Sequence, residues 1–228
     1  GTDVDQTTRL YQRNADSAEW KLINDSKQTG LSQWPLGFSA DDRNVYLQVE
    51  HAQGPDSIVA WDIAADKRTE VLRDDNTDPT PIYVGGVLHG MRLMDGLPRS
   101  VFFDQQSKVA KLYRKLEKAF GGERVSITSI TKDGGSALVH TSSDRNPGDY
   151  YVFDTVNNKA EHLLASSDWI DPARTAATKA ISFKARDGLE IQGYLTSPAG
   201  IDAKNAPLIV LTHGGPFGIY DAWGYDPE

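Results

Sequence analysis

The residues with the clearest chemistry lie late in the chain, in PLIVLTHGGPFG (residues 207–218). An apolar run, the pattern of a buried strand, leads into His213, Gly214, Gly215 and Pro216. Glycine has no Cβ, so its backbone can approach another group closely. A glycine turn at a strand end can set bare N–H groups beside a reacting carbonyl, as oxyanion stabilisation in acyl transfer requires. Such a site also needs a nucleophile, and the elbow G-x-S-x-G does not occur in this sequence. GFSAD (residues 37–41) comes nearest, with Asp41 in place of the last glycine.

Other chemistries find less support. The sequence has no cysteine, which excludes disulfides, thiolate zinc sites and cysteine catalysis. The five histidines, His51, His89, His140, His162 and His213, show no zinc spacing such as H-E-x-x-H. No metal or cofactor is expected. GGVLHG (residues 85–90) lacks the G-x-G-x-x-G spacing of a dinucleotide site. DWIDPAR (residues 168–174), with Glu161 nearby, reads as a linker with ordinary surface charges. A net charge of −8 argues against nucleic acid or an anionic membrane as partner. No apolar run is long enough to span a bilayer, and GTDVDQTTRL has no signal-peptide pattern. A soluble protein of the cytoplasm or periplasm is expected.

The elements that must position the turn come from a repeat. GFSADDRNVYLQVEHAQGPDSIVAWDIAADKRTEVL (residues 37–72) parallels SITKDGGSALVHTSSDRNPGDYYVFDTVNNKAEHLL (residues 129–164). Each opens on a polar turn and continues with an alternating strand. A second strand then ends in aromatic-Asp, at Trp61-Asp62 and Phe153-Asp154. The two aspartates are 92 residues apart, two units of about 46, near the length of a four-stranded propeller blade. Phe103-Asp104 marks the unit between them, and TTRLYQRNADSAEWKLIND supplies two strands of an earlier one. In the middle unit, Val109, Leu112, Tyr113, Leu116 and Phe120 follow helical spacing. A helix near 104–120 is predicted, with Asp104 near its start and Gly121 ending it. Its other face carries Lys108, Lys111, Arg114, Lys115 and Lys118, a solvated face or a docking surface for an acidic partner.

AISFKARDGLEIQGYLTSPAG (residues 180–200) reads as a hairpin turning at Asp187-Gly188. The apolar run at 207–213 would then be a central parallel strand covered on both faces. The expected fold is mainly β: propeller blades over residues 1–173, then the first strands of an α/β-hydrolase domain over 174–228.

These stretches in order resemble serine peptidases of the prolyl oligopeptidase family, most closely its acylaminoacyl-peptidase-like bacterial members. The HGGP turn followed by D-x-W-G (residues 221–224) is the most specific of them. The resemblance implies a propeller, usually of seven blades, that limits access to an α/β-hydrolase domain with a Ser-Asp-His triad. It implies that Gly215 offers its backbone N–H to the oxyanion, with His213, Gly214 and Pro216 supporting the turn. His213 is not the triad histidine, because this fold orders its triad Ser, Asp, His, and His213 would precede the serine. The chain is expected to be an internal fragment, inactive alone, truncated before the nucleophile. Its expected partners are a short peptide substrate and the remainder of the catalytic domain, from the same polypeptide or a second chain, with a homo-oligomer as a further option. Two alternatives stay open: a non-catalytic propeller binding module, echoed by Trp61-Asp62, and an esterase on the same scaffold.

Overall fold

The computed structural model describes residues 1–198, 200, 204, 206–215 and 221–226. The chain divides into two units: Gly1–Asp95 with Arg99–Gln105, and Gly96–Pro98 with Gln106–Glu228.

In the first unit, β1 (Arg9–Gln12) pairs with β2 (Lys21–Asp25), followed by the short α1 (Ser26–Thr29). A four-stranded antiparallel meander follows: β3 (Gln33–Phe38), β4 (Asn44–Val49), β5 (Ser57–Asp62) and β6 (Lys67–Arg73). Then come β7 (Thr80–Val84), β8 (Val87–Leu93) and β9 (Arg99–Phe102), a three-stranded sheet. Successive side chains of a strand point to opposite faces, and β4 uses both. Val45, Leu47 and Val49 join Trp61 and Leu10 in one core, with Ile23 of β2 packed against it. Tyr46 joins Ile58, Leu88 and Met91 in a second core, on the side of β7–β9. The ring of Tyr46 stacks on that of Phe103, centroids 4.0 Å apart. The central strands β4 and β5 of this sheet are therefore buried on both faces.

The second unit opens with α2 (Lys108–Ala119), then the meander β10 (Arg124–Ile130), β11 (Ser136–Ser142), β12 (Asp149–Asp154) and β13 (Lys159–Ala165). A two-stranded hairpin, β14 (Ala177–Lys184) and β15 (Glu190–Ser197), follows. The helix forms where its spacing predicts, but Ser107, not Asp104, caps it, accepting from the Ala110 N–H. Its last turn closes at Phe120, whose N–H donates to Leu116 O. Gly121 only follows the end, and the left-handed φ of 89° falls on Gly122. Ala110, Tyr113 and Leu116 are buried. The Tyr113 hydroxyl accepts the Ile127 N–H at 3.1 Å, beside the bulge in β10.

The repeat holds residue by residue. Asn44 pairs with Asp62 and Ser136 with Asp154, each pair 92 positions from its counterpart. The bulges between Pro35 and Gly37 and between Ile58 and Val59 recur between Ile127 and Ser129 and between Tyr150 and Tyr151. The first turn of each meander is tied in the same way. Ser39 Oγ donates to Asp41 Oδ1 and accepts the Asn44 N–H. Thr131 Oγ1 donates to Asp133 Oδ1 and accepts the Ser136 N–H. Both turns need a left-handed residue, Asp42 (φ 57°) in one and Gly134 (φ 74°) in the other. The aspartate of each aromatic-Asp pair caps the next turn: Asp62 accepts from Ala65 N–H, and Asp154 from Val156 and Asn157 N–H.

Three outcomes are expected from this geometry. Tyr113→Phe leaves the Ile127 N–H without its acceptor and should cost about 1–3 kcal/mol in urea denaturation. Gly134→Ala places a Cβ in the left-handed region and should cost about 1–2 kcal/mol; an unchanged midpoint would contradict the turn. Hydrogen bonds from Ser39 to Asp41, from Thr131 to Asp133 and from Asn157 to Asp154 hold these carboxyls below their ordinary pKa of 3.8. The stability they lend is full above that value and is lost as pH falls from it through the lowered folded-state pKa. The urea midpoint should therefore drop as pH falls below about 4, and less steeply in Asp133→Asn.

Candidate active-site turn

The turn is reached through the hairpin. β14 and β15 pair in full register from Ala177↔Ser197 to Lys184↔Glu190. The expected Asp187-Gly188 turn closes it: Gly188 N–H donates to Ala185 O, and Asp187 Oδ1 accepts the Leu189 N–H. Alternation places Ile181, Phe183, Ile191 and Leu195 on one face, and it is open, with Phe183 55% exposed. On the opposite face, the Tyr194 hydroxyl donates to Gly96 O at 2.9 Å. The Trp223 indole, of the D-x-W-G stretch, is buried and donates to Thr178 O at 3.3 Å.

Residues 206–215 form neither strand nor helix. This corrects the expectation of a buried strand at 207–213. Leu208, Ile209, Val210 and Leu211 are each at least 74% exposed. A strand needs a ladder for its N–H and C=O groups, and no described strand pairs with this run. His213 and Gly214 are exposed, and His213 Nδ1 lies 3.3 Å from Gly214 O, a contact in which the ring nitrogen donates. Gly215 adopts φ 100°, where a side chain would be strained. Pro216 lies outside the described residues.

The remaining candidates are dispersed. Ser39 of GFSAD is committed to its turn by the bonds above. Sequence spacing missed a serine–histidine contact: His51 Nε2 lies 2.8 Å from Ser57 Oγ, in a cleft lined by Leu31, Gln33, Val49, Val59, Arg68 and Glu70. Ser57 is 1% exposed, so its hydroxyl serves the fold, not a substrate. The contact joins a loop to a strand, and only the β4–β5 register brings the two residues together. Burial lowers the pKa of His89 and of His140, and His140 packs on Tyr150 at 4.7 Å. His162 pairs with Asp149 at 2.8 Å. Among the described residues, no three His, Asp or Glu side chains form a group able to hold a metal ion. No helix among them is long and apolar enough to cross a membrane.

No family model matches the chain. In an alignment of 124 positions that covers 45% of this chain, it is 28% identical to dipeptidyl peptidase family member 6 of Caenorhabditis elegans, covering 17% of that protein. Its fold is similar to that of a prolyl endopeptidase, with TM-score 0.54 and 13% identity over 85% of this chain and 28% of the other. Prolyl oligopeptidase B from Galerina marginata aligns at TM-score 0.39 with 9% identity, over 88% of this chain and 37% of that one, too low to add weight. The chain thus spans less than a third of the length of the first two relatives. The chain is thus similar in fold to a prolyl endopeptidase and, over part of its sequence, to a dipeptidyl peptidase family member.

Proposed function

We propose that this chain is part of a serine peptidase that hydrolyses short peptides, with its blades restricting access to the site. The observation that carries the reading is the HGGP turn, directly downstream of a hairpin, in a chain whose fold is similar to that of a prolyl endopeptidase. Gly215 is the oxyanion donor. Its backbone N–H would meet the negative charge that develops on the scissile carbonyl oxygen as a serine attacks, and a preformed donor stabilises that charge more than it stabilises the substrate. The positive φ of Gly215 supports this role, because only glycine takes that conformation freely. His213, Gly214 and Pro216 support the turn. The serine, aspartate and histidine of the triad come from residues outside the 228, in the same polypeptide or a second chain. That remainder is also the partner that would cover the open apolar run at 207–213 and the apolar face of the hairpin.

Two measurements test the reading. The 228-residue chain should hydrolyse no peptide or ester reporter and take no label from a fluorophosphonate; labelling at any serine would overturn it. In the polypeptide that includes the elbow serine, Gly215→Val should slow acylation by about 10²- to 10³-fold. An unchanged kcat/KM would remove Gly215 from the oxyanion site.

A further inference from the structure

Residues 168–174 read as a free linker in sequence, yet the loop between β11 and β12 reaches across and holds the segment that follows. Arg145 donates from Nε and Nη2 to a single carbonyl, Pro172 O, at 3.1 and 2.9 Å. Thr175 Oγ1 lies 2.9 Å from both Arg145 O and Pro172 O. The Asp144 carboxylate accepts the Thr178 N–H at 2.6 Å. Thr178 is therefore held on both backbone groups, since its carbonyl accepts the Trp223 indole. The loop is itself fixed from below. Ser143, 7% exposed, accepts the N–H groups of Arg145 and Asn146 through its hydroxyl. Asn146 Nδ2 donates to Glu123 and to Asp149, and its Oδ1 accepts the Gly148 N–H.

We propose that Asp144 and Arg145 form a clamp that binds the β14–β15 hairpin to the β10–β13 sheet, so that residues 172–178 act as a fixed joint and not as a hinge. The clamp sets the direction in which the chain leaves the last meander. Both contacts are charge-assisted, because an ionised group meets a backbone partner, and such bonds are about twice as strong as neutral ones. Two charged side chains on one short loop gripping carbonyl 172 and amide 178 leave little freedom between them. Any opening of the molecule near this point would have to occur elsewhere along the chain. The clamp does not rest on the peptidase reading and can fail or stand without it.

The test uses the 228-residue chain. Amide hydrogen exchange is followed at Thr178 and, as an internal control, at Val139 in the centre of β11. Asp144→Ala should speed exchange at Thr178 about 10-fold and leave Val139 unchanged. Asp144→Asn, which keeps an acceptor oxygen, should restore most of the protection. Arg145→Ala should speed tryptic cleavage after the exposed Arg174 by about 3- to 10-fold. The clamp is overturned if Thr178 exchange is unmoved in Asp144→Ala. It is overturned equally if exchange at Val139 rises with it, which would make the loop a support of the sheet alone, or if cleavage after Arg174 keeps its rate.

Discussion

A twisted antiparallel sheet with apolar side chains on both faces is stable only when something covers both. β4 makes the demand plain. Val45, Leu47 and Val49 face one core and Tyr46 faces another, and β5 follows suit with Trp61 on one side and Ile58 on the other. Each fully buried side chain of this size contributes about 1.5–3 kcal/mol relative to exposure. The β3–β6 meander therefore folds between β1–β2 and β7–β9, and a stack of sheets is the outcome. The outer strands answer to the opposite condition. β6 and β13 carry Lys, Arg, Glu and His and are exposed along most of their length.

The two full meanders share one register, and their polar turns repeat with it. A hydroxyl–aspartate pair closes the first turn in both full meanders, at Ser39-Asp41 and Thr131-Asp133. A second aspartate caps the last turn, at Asp62 and Asp154. These side chains satisfy backbone N–H groups that the ladders leave over, so register is fixed at the strand ends and not by core shape alone. The three-stranded sheet β7–β9 departs from this pattern: the basic helix α2 follows it from Lys108, and its buried side presents Ala110, Tyr113 and Leu116.

The same demand for cover explains the C-terminal part. The hairpin is engaged through Tyr194 on one face and through the Thr178 carbonyl, which accepts from Trp223, and its apolar face is open. Beyond it, the apolar run at 207–213 has the composition of a central strand but no ladder and no cover among the described residues, and it forms no strand. The candidate turn depends on that run for its placement. Its conformation at Gly215, by contrast, is local.

Local rules made much of this legible from sequence. Period-two alternation located β4 and β11, the 92-residue offset anticipated matching registers, and i, i+3, i+4 spacing found α2. Asp187-Gly188 announced the hairpin turn. HGGP marked the candidate site because glycine's lack of a Cβ is a property of the residue itself. Caps were less legible: Ser107 and Asp104 are both competent, and only the packed position of Tyr113 and Leu116 decides which turn is the first. Strand against coil at 207–213 was not legible either. An apolar run states a need for partners, and only the tertiary structure says whether they are present. The grip of Asp144 and Arg145 on residues 172–178 was invisible for the same reason, since it joins groups 27 to 34 positions apart that meet only once β11 and β12 have paired.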